Sequence, residues 1–390
     1  MKYGLIGEHL GHSYSPFIHS LLGSSPYELK SLRPEELGQF IKAGDFAGLN
    51  VTIPYKKAVV PYLDHIAPEA KAIGAVNTVV RRGDGLWGYN TDYYGFLYAA
   101  ARAGISLKGK KVLVLGSGGA SAGVQAAAVG AGAAQVLVVS RTGALNYENV
   151  YQVSGAEVIV NATPVGMYPQ NRGKLLELSR FISCCGVIDL VYNPLYTPLL
   201  LDARKLGIPF SNGLSMLVSQ AKYASDLFQG IQRPDSIIDD ILDKTLNKVQ
   251  NIVLIGMPGC GKSTIGKRLA AEQGKKFVDT DVLVVQKAGK SIPDIFAQDG
   301  EAAFRRLEAQ VIESVGKENG QVIATGGGAV MNLENVRNLK QNGTVIFIKR
   351  DIDKLAREGR PLSQAQDLAA MYKERLPFYE AAADTVMENR

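Results

Sequence analysis

Two groups of residues in this 390-residue chain have types and spacings that could do chemistry. Gly256-Met257-Pro258-Gly259-Cys260-Gly261-Lys262-Ser263 matches G-x-x-x-x-G-K-[ST]. Its glycines let successive backbone N–H groups point into one concavity, which cradles phosphate oxygens at a helix N-terminus. Gly259, Cys260, Gly261 and Thr264 belong to that loop, Lys262 is spaced to reach the β- and γ-phosphates, and the Ser263 hydroxyl is placed to ligate Mg²⁺. The pattern calls for a nucleoside triphosphate. The second group is Lys56 and Asp92. Reduction of a carbonyl needs a proton donor at oxygen while hydride arrives at carbon, and a lysine held beside a carboxylate can relay that proton. Both residues end apolar runs in a segment crowded with Asn, Thr and Ser donors suited to a polyol.

Regular elements must hold these groups in place. Ile252–Ile255 reads as a buried strand entering the phosphate loop, and Ile265–Gln273 continues as an amphipathic helix. Such a loop opens its domain on the first strand, so the residues before Asn251 form something separate. Upstream, Tyr3–Gly7, Gly48–Pro54 and Gly74–Val80 read as strands, and Gly88–Asp92 leads into a helix from about Tyr93 to Ala103. Ser13 and Ser15 stand at i and i+2, so in an extended segment both hydroxyls face one way. Lys111–Leu115, the turn Gly116-Ser117-Gly118-Gly119-Ala120-Ser121, an Ala-rich helix and the strand Gln135–Val139 make a β-α-β unit, the setting of a dinucleotide fingerprint. An NAD-specific fold places Asp or Glu at the end of the second strand. This chain has Ser140-Arg141-Thr142 there, which suits a 2′-phosphate, so NADP is expected. Farther on, Asp279 and Asp281 project from one side of a strand end, one able to serve Mg²⁺ and the other a substrate hydroxyl. The buried run Gln321–Thr325 enters Gly326-Gly327-Gly328, where backbone can approach a ligand closely. Ile231–Gln250 reads as a closing helix with Pro234 in its first turn.

Composition narrows the function classes. Hydrophobic residues at 46% and charged ones at 21% fit ordinary globular domains. The net charge of +6 is spread as 23 basic against 19 acidic residues before Asn251 and 20 against 18 from there on. With no Lys/Arg run, a nucleic-acid partner has little support. Three cysteines, two of them adjacent (Cys184 and Cys185), cannot make a disulfide framework, so they are expected as small buried hydrophobes in a cytoplasmic protein. No signal-peptide apolar region is present. The uncharged stretch between Lys111 and Arg141 is broken by glycines and reads as strand–turn–helix–strand, not as a membrane span.

In order along residues 1–245, SYSP, NVTIPYK, GAVNT, YNTD, GSGGAS, SRT, NATPVGM, DLVYNP and NGLSMLVSQA resemble the motifs of shikimate dehydrogenase. The resemblance implies reversible, NADPH-dependent reduction of 3-dehydroshikimate with Lys56 and Asp92 as the catalytic pair. It implies that Ser13, Ser15, Thr52, Asn77, Tyr192 and Gln220 hold the substrate's carboxylate and hydroxyls. Gly116, Ser117, Gly118, Gly119, Ala120, Ser121, Arg141, Thr142, Met167 and Gly213 would hold NADP. Over roughly 249–390, GMPGCGKST, DTD, FRRLE, TGGGA, RPL and ERLPFY are similar to shikimate kinase. That similarity implies phosphorylation of the shikimate 3-hydroxyl by ATP with Mg²⁺. Asp281 would bind and orient the hydroxyl, Lys262 and Arg360 would meet the phosphates, Arg305 and Arg375 would clamp the carboxylate, and Gly327 would contribute backbone. Ser263 and Asp279 would serve the metal.

The architecture expected is α/β throughout. A substrate domain (1–103 and about 213–248) and a Rossmann-type NADP domain (104–212) make a dehydrogenase over 1–248, and a P-loop kinase domain follows over 249–390. Between Thr142 and Ala156 the family carries a helix, a strand and another helix, and Gly143–Gly155 is too short for all three, so the cofactor sheet is expected to lack one β-α unit. Ser363–Lys373 is short for the family lid, and the chain stops at Arg390 where a final helix packs in the family. A kinase half that is less stable or slower when detached is therefore expected. The product of one implied reaction is the substrate of the other, which favours a bifunctional enzyme of aromatic amino-acid precursor synthesis. Two alternatives are an active dehydrogenase with an impaired kinase half and a ligand sensor without catalysis. Intact Lys56, Asp92, Lys262 and Asp281 count against the sensor.

Overall fold

In a computed structural model of the chain the described residues are 1–11, 13–355 and 368–389. Contacts divide it into two compact units, Met1–Thr245 and Leu246–Arg390.

The first unit holds two sheets. In one, β1 (Tyr3–Gly7), β2 (Tyr27–Ser31), β3 (Gly48–Val51), β4 (His65–Ile66), β5 (Thr78–Arg82) and β6 (Gly85–Tyr89) lie in the order β2-β1-β3-β5-β6-β4. Only β5 runs against its neighbours. Ile6, Leu49, Val51 and Val79 close a core with Leu37 and Ile41 of the helix Leu37–Ala43. The strand expected over Gly74–Val80 starts only at Thr78, because Gly74, at φ +69°, first has to end the helix Pro68–Ile73. Asn77 is thus left in the connection, beside the cleft described below.

The second sheet is all parallel: β7 (Lys111–Leu115), β8 (Gln135–Val139), β9 (Val158–Asn161), β10 (Gly186–Asp189) and β11 (Phe210–Ser211), in the order β11-β10-β9-β7-β8. A full doubly wound dinucleotide fold adds a further strand outside the second. Here β8 is the edge, and the connection from it to β9 forms only the 3₁₀ turn Val150–Val153. The short Gly143–Gly155 segment leaves no room for more.

Two helices bring the sheets' functional ends together. Thr91–Arg102 carries Asp92, Gly213–Gln229 carries Gln220, and they cross in contact at Gly95. A Cβ at Gly95 would stand 3.0 Å from both the Met216 carbonyl oxygen and the Gln220 Cβ. The closing helix, Ser236–Val249, begins after Pro234 and does not include it. Lys222 Nζ and the Tyr223 hydroxyl, at 2.8 and 3.0 Å, hold the Asp235 carboxylate outside that helix.

The second unit has one parallel sheet, β12 (Asn251–Ile255), β13 (Lys276–Asp279), β14 (Gln321–Ala324), β15 (Gly343–Lys349) and β16 (Thr385–Glu388), in the order β13-β14-β12-β15-β16. The phosphate loop leaves the central strand β12 and runs into the helix Lys262–Gln273. Among the described residues no helix is long and apolar enough to cross a membrane. The cysteines are not all buried: Cys260 is, Cys184 is half-buried and Cys185 is exposed. Adjacent residues on extended chain face opposite ways, so Cys184 and Cys185 cannot both reach the core.

Gly95→Leu is expected to lower stability by about 1–3 kcal/mol by overpacking the two crossing helices. It should reduce the urea midpoint of the intact chain. A wild-type midpoint would mean that the helices have room to part.

Candidate active sites

The first site is a cleft of about 250 Å³ in the first unit. Lys56 lies in the short helix Tyr55–Ala58 that follows β3, and Asp92 lies in the first turn of the helix that follows β6. Both therefore stand just beyond strand ends, on helices. Lys56 Nζ donates to Asp92 Oδ2 at 2.6 Å, and each side chain keeps about a fifth of its surface exposed (23% and 21%). The ammonium is fixed by its carboxylate yet open to the cleft.

Around the pair the cleft is polar. Asn77 is held in place: its Oδ1 accepts from the Thr91 backbone N–H at 2.7 Å and from the Thr78 hydroxyl at 2.9 Å, and one N–H of its Nδ2 donates to the Thr91 hydroxyl at 3.1 Å. Thr78 in turn accepts from Asn50 Nδ2 at 3.2 Å, and Asn50 Oδ1 accepts from the Tyr27 hydroxyl at 2.8 Å. The Thr91 hydroxyl also donates to Gln220 Oε1 at 3.4 Å. Thr52, Tyr192 and Gln220 line the cleft, and so do Ser13 and Ser15. The two serines do not sit on extended chain. Tyr14 has helical φ/ψ and Pro16 stands in the first turn of the helix Ser15–Leu21, so the Ser15 N–H folds back to the Ser13 hydroxyl at 3.2 Å. The sequence reading missed Asn50, Thr78 and Thr91. Of these, Asn50 had a signal: it stands two residues before Thr52 in the Gly48–Pro54 run expected as a strand, where i and i+2 share a face.

The dinucleotide loop closes the cleft on the other side. Gly116 holds φ +103°, and the helix Gly119–Gly130 starts from Gly118. Gly118, Gly119 and Ala120 are exposed, whereas Ser121 is buried with its hydroxyl accepting from Gln125 Nε2 at 3.0 Å, so its side chain is turned away from the loop's mouth. Ala120 and Gly213 line the cleft, and a Cβ on Gly213 would come within 2.1 Å of the Leu190 carbonyl oxygen. Arg141 and Thr142 follow β8 as exposed residues, and Met167 is 45% exposed. The exposed Arg141 guanidinium and the loop amides from Ser117 to Ala120 fit a phosphorylated dinucleotide.

The second site is a cavity of about 350 Å³ in the second unit. Gly259, Gly261, Lys262, Ser263 and Thr264 form one wall, while the Cys260 side chain is buried behind it. Lys262 Nζ donates to the carbonyls of Gly256 and Met257 at 2.8 and 2.9 Å, which holds the ammonium inside its own loop. The Ser263 hydroxyl donates to Asp279 Oδ2 at 2.8 Å. The two acids do not share a strand end. Asp279 closes β13, and its Oδ1 caps the next helix, Thr280–Ala288, by accepting from the Asp281 N–H at 3.0 Å; Asp281 therefore rides in that helix's first turn. A hydroxyl and one carboxylate side by side fit Mg²⁺, which keeps most of its water and phosphate ligands.

Opposite the loop, Asp281 Oδ1 and Glu308 Oε1 are buried without hydrogen-bond partners among the described residues. A Cβ on Gly326 would meet them at 2.7 and 2.8 Å. Arg305 is already engaged, by Glu308 at 2.9 Å and Glu301 at 3.1 Å. Arg375 is buried, and its Nε has no hydrogen-bond partner among the described residues. The Gly327 carbonyl accepts from the Tyr379 hydroxyl at 2.5 Å, which pins the glycine run. Glu308 and Arg350 also line the cavity and were not foreseen; Glu308 stands in the quoted FRRLE run, and Arg350 stands in no motif. Arg360 lies outside the described residues, as do residues 363–367 of the segment expected to form a lid.

Residues 5–79 match the family model described as shikimate dehydrogenase substrate binding domain, and residues 258–390 match the one described as shikimate kinase. The chain is 35% identical over 263 residues to a shikimate dehydrogenase (NADP(+)) of Clostridium perfringens, covering 62% of this chain and 97% of that one. It is 36% identical over 259 residues to the Geobacillus kaustophilus protein of the same description, covering 60% and 94%. Among solved structures it is similar to a chorismate mutase/shikimate 5-dehydrogenase fusion protein from Clostridium acetobutylicum, with a TM-score of 0.60, 35% identity and 62% and 96% coverage. It is also similar to the shikimate 5-dehydrogenase of Thermus thermophilus in complex with NADP(H) and shikimate, with a TM-score of 0.55, 33% identity and 63% and 99% coverage.

Burial, and then the neighbouring Asp279 charge, push the Asp281 carboxyl from 3.8 up to about 6. The folded chain thus holds this proton more tightly than the unfolded chain. The group's contribution to stability therefore falls as pH rises from about 4 to about 6 and stays low above that. Asp281→Asn removes the titration. In the absence of divalent cations, its thermal midpoint relative to wild type should be least changed near pH 4, should gain up to about pH 6 and should level off above that. A pH-independent difference would contradict the burial argument.

Proposed function

We propose that this chain, which belongs to the shikimate dehydrogenase family and ends in a shikimate kinase family domain, catalyses two consecutive reactions on one carbon skeleton. The first is the reversible reduction of 3-dehydroshikimate to shikimate. The second is phosphorylation of the shikimate 3-hydroxyl. The dehydrogenase is assigned to 1–248, with its cofactor domain at 104–212, and the kinase to 249–390.

In the first reaction NADPH, when bound, supplies hydride to the carbonyl carbon. Lys56 gives its proton to the carbonyl oxygen, Asp92 holds the ammonium at the cleft, and the amine left behind takes its proton back from solvent, to which about a fifth of the side chain is open (23%). The observation that carries this reading is the 2.6 Å contact between Lys56 and Asp92 inside a cleft lined with amides and hydroxyls. Ser13, Ser15, Thr52, Asn77, Tyr192 and Gln220 orient the carboxylate and hydroxyls of the substrate. Arg141 and Thr142 receive the 2′-phosphate, while the loop from Gly116 to Ala120 and the residues Met167 and Gly213 receive the rest of NADP; Ser121 supports the loop from behind.

In the second reaction ATP supplies the phosphoryl group and Mg²⁺ offsets its charge. Asp281 accepts the proton of the 3-hydroxyl, a task that a carboxyl poised at about 6 performs near neutral pH. Arg305 and Arg375 present guanidinium groups for the substrate carboxylate, for which a planar fork suits better than an ammonium. Lys262 leaves its loop carbonyls for the phosphates, and Arg360 joins it. Ser263 and Asp279 hold the metal.

A one-pot assay with 3-dehydroshikimate, NADPH and MgATP is expected to release ADP in step with NADPH consumption. NADPH loss without ADP would leave a dehydrogenase joined to an idle second unit. Neither signal, with both ligands bound, would support a sensor. Lys56→Met is expected to slow reduction by about 10²–10⁴-fold, while ADP release from added shikimate stays at the wild-type rate. An undiminished reduction rate would remove Lys56 from the proton path.

A further inference from the structure

One cation at the second site has no task in the reading above. Arg350 directly follows β15, which runs beside the strand that delivers the phosphate loop, with Ile255 in register with Phe347. The backbones touch where the strands end: a Cβ on Gly256 would stand 2.5 Å from the Ile348 carbonyl oxygen. Arg350 is half-buried, and its Nε is shut away from solvent with no hydrogen-bond partner among the described residues. A guanidinium carries five N–H donors in a fixed fork, and leaving the buried Nε–H unpaired beside a phosphate loop is a cost that a ligand would relieve.

Two cavities meet at this side chain. One is the cavity between the phosphate loop, Asp281 and the Gly326–Gly328 run. The other, also of about 350 Å³, lies between the helix Lys262–Gln273 and the end of β16, and is bordered by Ile265, Met387 and Asn389. Among the described residues, Gly261, Thr264 and Arg350 border both. A nucleoside triphosphate held by its outer phosphates in the first cavity must pass its sugar and base into a contiguous space. The phosphate nearest the sugar then lies in the passage. Resting on the kinase reading, we propose that Arg350 binds the α-phosphate of the nucleotide at the passage between these two cavities. The planar fork matches phosphate oxygens, and Gly261 and Thr264 bring the N-terminal turn of the helix to the same point. Arg268 also borders the second cavity, but it is 68% exposed and 3.7 Å from Glu272, so it is solvated and already neutralised.

The test is calorimetric titration of the full chain with ADP, with pyrophosphate and with shikimate, for wild type, Arg350→Gln and Arg350→Lys. Arg350→Gln is expected to weaken ADP binding about tenfold, the effect of one charge-assisted contact. Pyrophosphate, shikimate and the thermal midpoint should be unchanged, and the KM for ATP should rise while kcat holds. Arg350→Lys keeps the charge and loses the fork, so it should fall between the two and covers the case in which the glutamine variant fails to fold. Unchanged ADP affinity in the variants overturns the assignment. An equal loss for pyrophosphate moves Arg350 to the outer phosphates and overturns the α-phosphate contact. A wild-type chain that binds shikimate but not ADP overturns the kinase reading itself, and this assignment with it.

Discussion

A phosphate oxygen can reach a run of backbone N–H groups only where no side chain stands between them, and both halves of this protein depend on that constraint. Gly116, Gly256, Gly259 and Gly261 all hold positive φ, a region that costs glycine nothing and other residues a clash. Each of the two loops must leave a strand and enter a helix within a few residues, which places it at the C-terminal edge of a parallel sheet. The sheet then has to be covered on both faces, which is why β7 and β12 are apolar at every residue after their first, Lys111 and Asn251. Gly213 serves the same end by close approach: its helix begins against the Leu190 carbonyl with no space for a side chain.

What the loops do for anions, a buried amide and hydroxyl chain does for the polyol cleft. Tyr27, Asn50, Thr78, Asn77 and Thr91 satisfy one another in sequence, and each hydrogen bond fixes which end of an amide faces the cleft. In a low-dielectric interior a half-satisfied network would be worse than none, so the members stand or fall together. Asp189 plays the matching part on the cofactor side. It accepts from Asn161 at 2.9 Å, from the Val191 N–H at 3.0 Å and from the Thr197 hydroxyl at 2.5 Å, and so ties three loop starts to one carboxylate.

Whatever is written in a single local stretch was legible in the sequence. The phosphate loop, the dinucleotide turn and the narrowed cofactor sheet all follow from residues that are neighbours in the chain. The readings that failed required knowing where extended chain stops. Ser13 and Ser15 looked parallel until Tyr14 took helical angles, and Asp281 looked like a strand residue until Asp279 capped a helix between them. Thr78 could not be weighed in advance, because its role arises only when β3 pairs with β5 and sets it opposite Asn50. Arg350 belongs to no motif, and only the pairing of β15 with β12 brings it to the phosphate loop.

The narrowed cofactor sheet has a further effect, on the chain's behaviour in crowded solution. With the usual outer strand missing, β8 presents a row of backbone donors and acceptors along its free side, and its five residues, QVLVV, include no charge and no proline. Proteins commonly blunt such edges with lysine, with a bulge or with a covering helix, because a bare edge is a template on which another strand can form. Compactness in the cofactor half was thus gained at the expense of colloidal protection. Concentration, more than temperature, is the variable against which this edge leaves the molecule least defended.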